Sequence, residues 1–151
     1  MSTYGEPLTY SQWQNAWSDP NISEIDCLAR VIYAEDTVNV AGEYAVAKEI
    51  WNRKMSGNPK RFARDKVNLT WKNIIFKSAE YNVKPTKNRY WDNCVARASE
   101  LVAGAVPSSL LGGQKYHRAS SSFSSAGITG VDTSTIKAIG GNTFFDYLPG
   151  Y

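Results

Sequence analysis

A chain of 151 residues with 17 Lys and Arg against 14 Asp and Glu has the length of one domain and a net charge of only +3. No run of Lys and Arg reads as a nucleic-acid patch, and the densest basic stretch, Lys84, Lys87 and Arg89, reads as a solvated loop. At 42% hydrophobic and 21% charged residues the composition is that of a globular chain, which at this size buries roughly two-thirds of its unfolded surface without staples.

No stretch approaches the ~20 apolar residues of a membrane span. Met1 to Pro20 has no apolar h-region. The expectation is a protein made without a signal peptide and not inserted in a membrane. Cys27 and Cys94 fall on predicted helices, and two cysteines do not make a disulfide framework, so both read as free, buried thiols. Five Trp and nine Tyr read first as core, although sugar-binding grooves use such rings as stacking surfaces.

Along the chain, Tyr10, Trp13 and Trp17 give residues 1–21 the look of a short helix or aromatic arm, closed by Asp19-Pro20-Asn21. Residues 22–151 read as the one domain. Ser23 is a good N-cap, with Asp26 as a short capping-box acid, and Ile25, Leu28, Ala29, Ile32 and Tyr33 form one apolar stripe. That helix ends near Glu35-Asp36. A second helix is predicted from Gly42 to Met55, closed by Gly57, with Ala47, Ile50 and Trp51 inward. Asn58-Pro59 marks its exit. Asn68 or Thr70 caps a predicted shorter helix holding Trp71, Ile74 and Ile75. The next helix spans Asn88 to Ala103 on Trp91, Cys94, Val95, Ala98, Leu101 and Val102. From Gly112 to Ser134 the helical period vanishes and a long loop is predicted. Tyr116-His117 and Thr143-Phe144-Phe145 read as short strands. The fold class is a mainly helical α+β single domain with a small β region near the C-terminus.

Chemistry must then rest on few groups. One histidine excludes multi-histidine zinc motifs, the cysteines lack metal-ligand spacing, and no phosphate loop or nucleophile elbow occurs. No metal or cofactor is expected. Glu35 lies three residues after Ile32 and seven after Leu28, on the flank of the apolar stripe. It also sits in the last helical turn, where the dipole disfavours another negative charge. Desolvation and dipole should both raise its pKa, which is what a glycosidase needs in its general acid. The alternative is a boundary glutamate in a surface ion pair. Asp36 and Glu43 read as solvated. Asn52 and Arg53 read as ties between the second helix and its neighbours.

The run Leu28-Ala29-Arg30-Val31-Ile32-Tyr33-Ala34-Glu35 resembles the opening motif of the SleB-type spore-cortex-lytic cell-wall hydrolases. Gly42-Glu43-Tyr44-Ala45-Val46-Ala47 and Ile50-Trp51-Asn52-Arg53 are similar to that family's second helix. Ile74-Ile75-Phe76 with Glu80-Tyr81-Asn82 resembles its Gln-Phe-Ser segment, Trp91 to Gly104 its next helix, and Tyr116-His117 with Ile139 to Phe145 its closing strands. The resemblance covers about Ile25 to Tyr147. It implies a lysozyme-like, lytic-transglycosylase-like fold, with Glu35 as catalytic acid cutting glycan strands between N-acetylmuramic acid and N-acetylglucosamine. It further implies substrate contacts from Tyr33, Glu80, Tyr81, Asn82, Tyr116, His117 and Asn142. The partner would be peptidoglycan, met by a monomer that reaches the wall from a phage, a spore or a secretion apparatus. The sequence departs from the family at Asp36 to Asn39, which lack its second Glu, at Glu80 in place of Gln, and at Asn142 in place of the closing His.

Three other readings stand beside it. Glu80 could activate water for a hydrolytic muramidase. Cys27, near a helix N-terminus, could pair with His117 and Asn142 in a peptidase. The chain could also bind walls, or build a particle, without catalysis.

Overall fold

The computed structural model describes residues 4–74 and 78–151. Among these residues lie five α-helices: α1 (Tyr10–Gln14), α2 (Glu24–Glu35), α3 (Val40–Met55), α4 (Pro59–Phe62) and α5 (Arg89–Val102). An antiparallel sheet of β1 (Tyr116–Ala119), β2 (Val131–Ile139) and β3 (Asn142–Tyr147) follows, in the order β1-β3-β2. The molecule is a small α+β domain with its sheet near the C-terminus. Among the described residues, no helix is long and apolar enough to cross a membrane.

Helix α2 is the centre of the core. The Ser23 hydroxyl accepts from the Asp26 amide, capping the helix as its sequence suggests. The Asp26 carboxylate does not complete a capping box. It takes the Arg30 Nε–H at 3.0 Å and the Gly5 amide at 3.0 Å instead. Every residue from Asp26 to Tyr33 is buried, so α2 is enclosed on all sides rather than along one stripe. Arg30 is fully buried. Its guanidinium donates to the carbonyls of Glu6, Tyr81 and Val83, fastening the N-terminal arm and the 3-10 turn Ser78–Asn82 to the helix. A buried cation is tolerable only when so many acceptors meet it.

Helix α3 starts at Val40, two residues before the predicted Gly42, because the Asn39 side chain accepts from the Gly42 amide and serves as N-cap. Asn52 and Arg53 tie α3 to the segment before β1, donating to the carbonyls of Gly112, Gln114 and Lys115. Asn58-Pro59, read as a break, instead opens α4: Asn58 caps it and Pro59 takes the first position, where its missing N–H costs nothing. The predicted helix around Trp71 does not form over the described residues. Residues 71–73 make turns, Asn73 bonds back to Asn68 and Arg64, and Ile74 bridges to Ala63. Ile75 and Phe76 lie outside the described residues. Helix α5 keeps its expected span, with Asn88 accepting from the amides of Tyr90 and Trp91. The predicted loop from Gly112 to Ser134 holds the first half of the sheet's outer edge: β2 begins at Val131, and its pairing with β3 shifts register between Asp132 and Lys137. Polar, interrupted pairing of that kind hides the two-residue period.

Candidate active site around Glu35

Glu35 is the last residue of α2. The free carbonyls of that helix end are satisfied from three directions. Asp36 donates its amide to Ile32 O, Thr37 its hydroxyl to Tyr33 O, and Asn142 its side-chain amide to Glu35 O at 3.0 Å. Asn142 is buried and spent on this bond, so it fixes the helix end rather than facing a substrate.

Strand β1 brings His117 to the same place. His117 Nε2 lies 2.5 Å from Glu35 Oε2, and Nδ1 lies 2.8 and 2.9 Å from the two oxygens of Glu49. The side chains of Glu35 and His117 remain 17% and 11% exposed, while Glu49 is fully enclosed. Burial alone would lower the histidine pKa. The Glu49 charge and the bonds to Glu35 and Glu49 outweigh it and raise the value to about 10. That direction favours the imidazolium form, which donates from both nitrogens. The expected surroundings of Glu35 are corrected accordingly: its carboxyl meets a cation, not only apolar side chains.

Asp36 supports this corner from below. Its Oδ2 accepts from the Gly141 amide at 3.3 Å, and the carboxylate fills the space between Gly42 at the start of α3 and Gly140 in the β2–β3 turn. Burial, then the Glu35 charge, raises the Asp36 pKa, against the lowering effect of the Gly141 bond. A Cβ on Gly42 would stand 1.8 Å from Asp36 Oδ2 and 2.6 Å from its Cγ. Gly42→Ala should therefore expel this carboxylate and loosen the turn that carries Asn142. The expected cost is ~1–3 kcal/mol, as for an overpacked site. Urea unfolding checks it; a variant as stable as the parent would mean that Asp36 moves freely.

The remaining expected site residues are dispersed. Tyr33 is buried, packs edge-on against Trp91 and accepts the Thr86 amide, so it is core rather than groove. Tyr81 is 2% exposed with its hydroxyl facing Arg64, and is likewise core. Half-buried Glu80 and exposed Asn82 lie on the Ser78–Asn82 turn. Tyr116 precedes His117 on β1 and so points to the other face of the sheet. It stacks on Phe145, and with Phe62, Tyr147 and Arg61 it lines a separate cavity of about 440 Å³. Another cavity, about 570 Å³ and apolar, opens beside the Asp36 corner between Val40, Tyr44, Leu110 and Ile139. Glu43, expected to be solvated, is fully buried against α5, where Asn93 donates to it.

Cys27 is 1% exposed among Val31, Trp71, Lys72 and Tyr81. Burial pushes its thiol up to about 12, so no thiolate is on hand, and both His117 nitrogens are already engaged. Cys94 is also a free, buried thiol. Among the described residues no three His, Cys, Asp or Glu side chains converge as metal ligands.

Glu49 is the site residue that sequence reading missed. Its spacing from Gly42, Ala45 and Val46 sets it on the buried side of α3, and a carboxylate in that row is the available signal. Compared with protein-family models, curated proteins and solved structures, the chain matches none.

Proposed function

We propose that this domain is a peptidoglycan-cleaving glycosidase, a lytic transglycosylase with Glu35 as its only catalytic carboxyl group. The observation that carries the reading is the setting of Glu35: held by His117 and Asn142 at the end of the central helix, yet still open to solvent. The resemblance of residues 28–35 to the SleB-type opening motif supplies the substrate class, and with it a lysozyme-like fold.

In this reaction Glu35 protonates the glycosidic oxygen as its bond to C1 of N-acetylmuramic acid breaks. The sugar's own 6-hydroxyl then attacks C1 and returns its proton to Glu35. No water enters, so one carboxyl group suffices, whereas ordinary hydrolysis needs two at set separations. The products should therefore carry 1,6-anhydro-muramoyl ends. Borohydride labelling and mass spectrometry of released fragments test this. Strong labelling at muramic acid would establish water as the nucleophile and move the reading to a muramidase with Glu80 as base. Binding to purified sacculi with no soluble release would leave only a wall-binding module.

A further inference from the structure

The single histidine of the chain is clamped between two carboxylates, and only one of them can reach a substrate. We infer that Glu49 is a positioning residue that keeps His117 oriented as a double N–H donor, so that Glu49, His117 and Glu35 store and release one proton as a unit. The inference rests on the glycosidase reading for its substrate and on geometry for the unit itself.

The geometry closes on every side of the ring. From α3, both Glu49 oxygens lie within 2.9 Å of Nδ1, and this carboxylate has no exposure. From α2, Glu35 Oε2 lies 2.5 Å from Nε2. From β3, the ring meets Phe144, an apolar wall. Its neighbours on β1, Tyr116 and Arg118, project to the opposite face. Among the described residues, Glu35 and Glu49 are the charged groups that hydrogen-bond to the imidazole. With Nδ1–H fixed on Glu49, the second proton lies between Nε2 and Oε2.

That arrangement resolves a difficulty in the acid's environment. A carboxyl group beside a cation would ordinarily be ionised and useless as an acid. Here, transfer of the proton from Nε2 to Oε2 yields neutral imidazole and a carboxylic acid with no change in total charge. Glu35 then gives the proton to the leaving oxygen as the C1–O bond breaks. It recovers one from the 6-hydroxyl as the new O6–C1 bond forms, and the proton can return to Nε2. The balance is zero, and no co-reactant is required. An enclosed carboxylate behind a histidine is the usual means of fixing both its orientation and its tautomer.

Because the chain has one histidine, its imidazole signals need no assignment. Nitrogen-15 and carbon-13 NMR on wild type should show both ring nitrogens protonated at pH 8. In Glu49→Gln the histidine titration midpoint should fall by at least about one pH unit, tenfold in proton affinity. In Glu35→Gln it should fall by less. The alkaline limb of wall lysis should move with the Glu49→Gln midpoint. A neutral wild-type ring at pH 8, an unmoved midpoint in folded Glu49→Gln, or a moved midpoint with an unmoved limb would each overturn the inference. If Glu49→Gln does not fold, the wild-type spectrum and the Glu35→Gln titration decide it. If wild type releases nothing from walls, the glycosidase reading fails, and NMR alone decides whether the three groups act as a unit.

Discussion

Glu35→Gln should abolish wall lysis while leaving the domain folded. Gln keeps the length and shape of the side chain, and its carbonyl can still accept from His117 Nε2. The helix end is untouched, since its bonds to Asp36, Thr37 and Asn142 use backbone carbonyls. What disappears is the carboxyl proton. Loss of a general acid costs ~10²–10⁴-fold, enough to silence a turbidity assay. Lysis should be normalised to folded protein by circular dichroism. A folded variant that clears wall suspensions at the parental rate would falsify the assignment of the acid, and with it the proposed reaction.

Which parts of this site were legible in the sequence follows from what each residue had to satisfy. The end of α2 was legible because an apolar stripe and a Ser N-cap bracket it, and both are local signals. The short strands around His117 and Phe144 were legible for the same reason. Glu49 was passed over because the row it shares with Gly42, Ala45 and Val46 holds mostly small side chains, and the partner that explains a carboxylate there is 68 positions away. Tyr33 and Tyr81 misled in the opposite direction. An aromatic ring near a candidate acid suggests a sugar platform, but α2 is enclosed on all sides and both rings are needed to fill it. Tyr116 and His117 could have been separated without a structure. Adjacent residues of a strand face opposite ways, so the two could not line one groove. β2 escaped because Asp132 to Lys137 breaks its pairing with β3, and no alternation survives there.

The same enclosed packing gives Glu43 an unusual cost, and Glu43→Gln should stabilise the protein at pH 8 by roughly 2–3 kcal/mol. Glu43 has no exposure, and its Oε2 finds no hydrogen-bond partner among the described residues. Burial raises its pKa from 4.5 to about 7; the Asn93 bond lowers it, and the nearby Asp36 charge raises it. Below pH 4.5 both folded and unfolded chains hold the proton, and burial involves no charge. Between pH 4.5 and 7 the unfolded chain releases the proton while the folded one keeps it, so stability falls as pH rises. Above pH 7 the loss is complete, about 3 kcal/mol from the width of that window. Gln cannot ionise, and its carbonyl can still take the Asn93 amide in place of Oε1. The variant should thus match wild type near pH 4 and exceed it increasingly up to pH 8. His117 adds a separate slope common to both proteins: its stabilisation is complete below pH 6.5 and lost as pH rises through about 10. The Glu43 contribution is therefore read as the difference between the two urea-unfolding series, at intervals from pH 4 to 8. Parallel curves would mean that Glu43 ionises in the fold as readily as in the unfolded chain, and that α3 and α5 admit water between them.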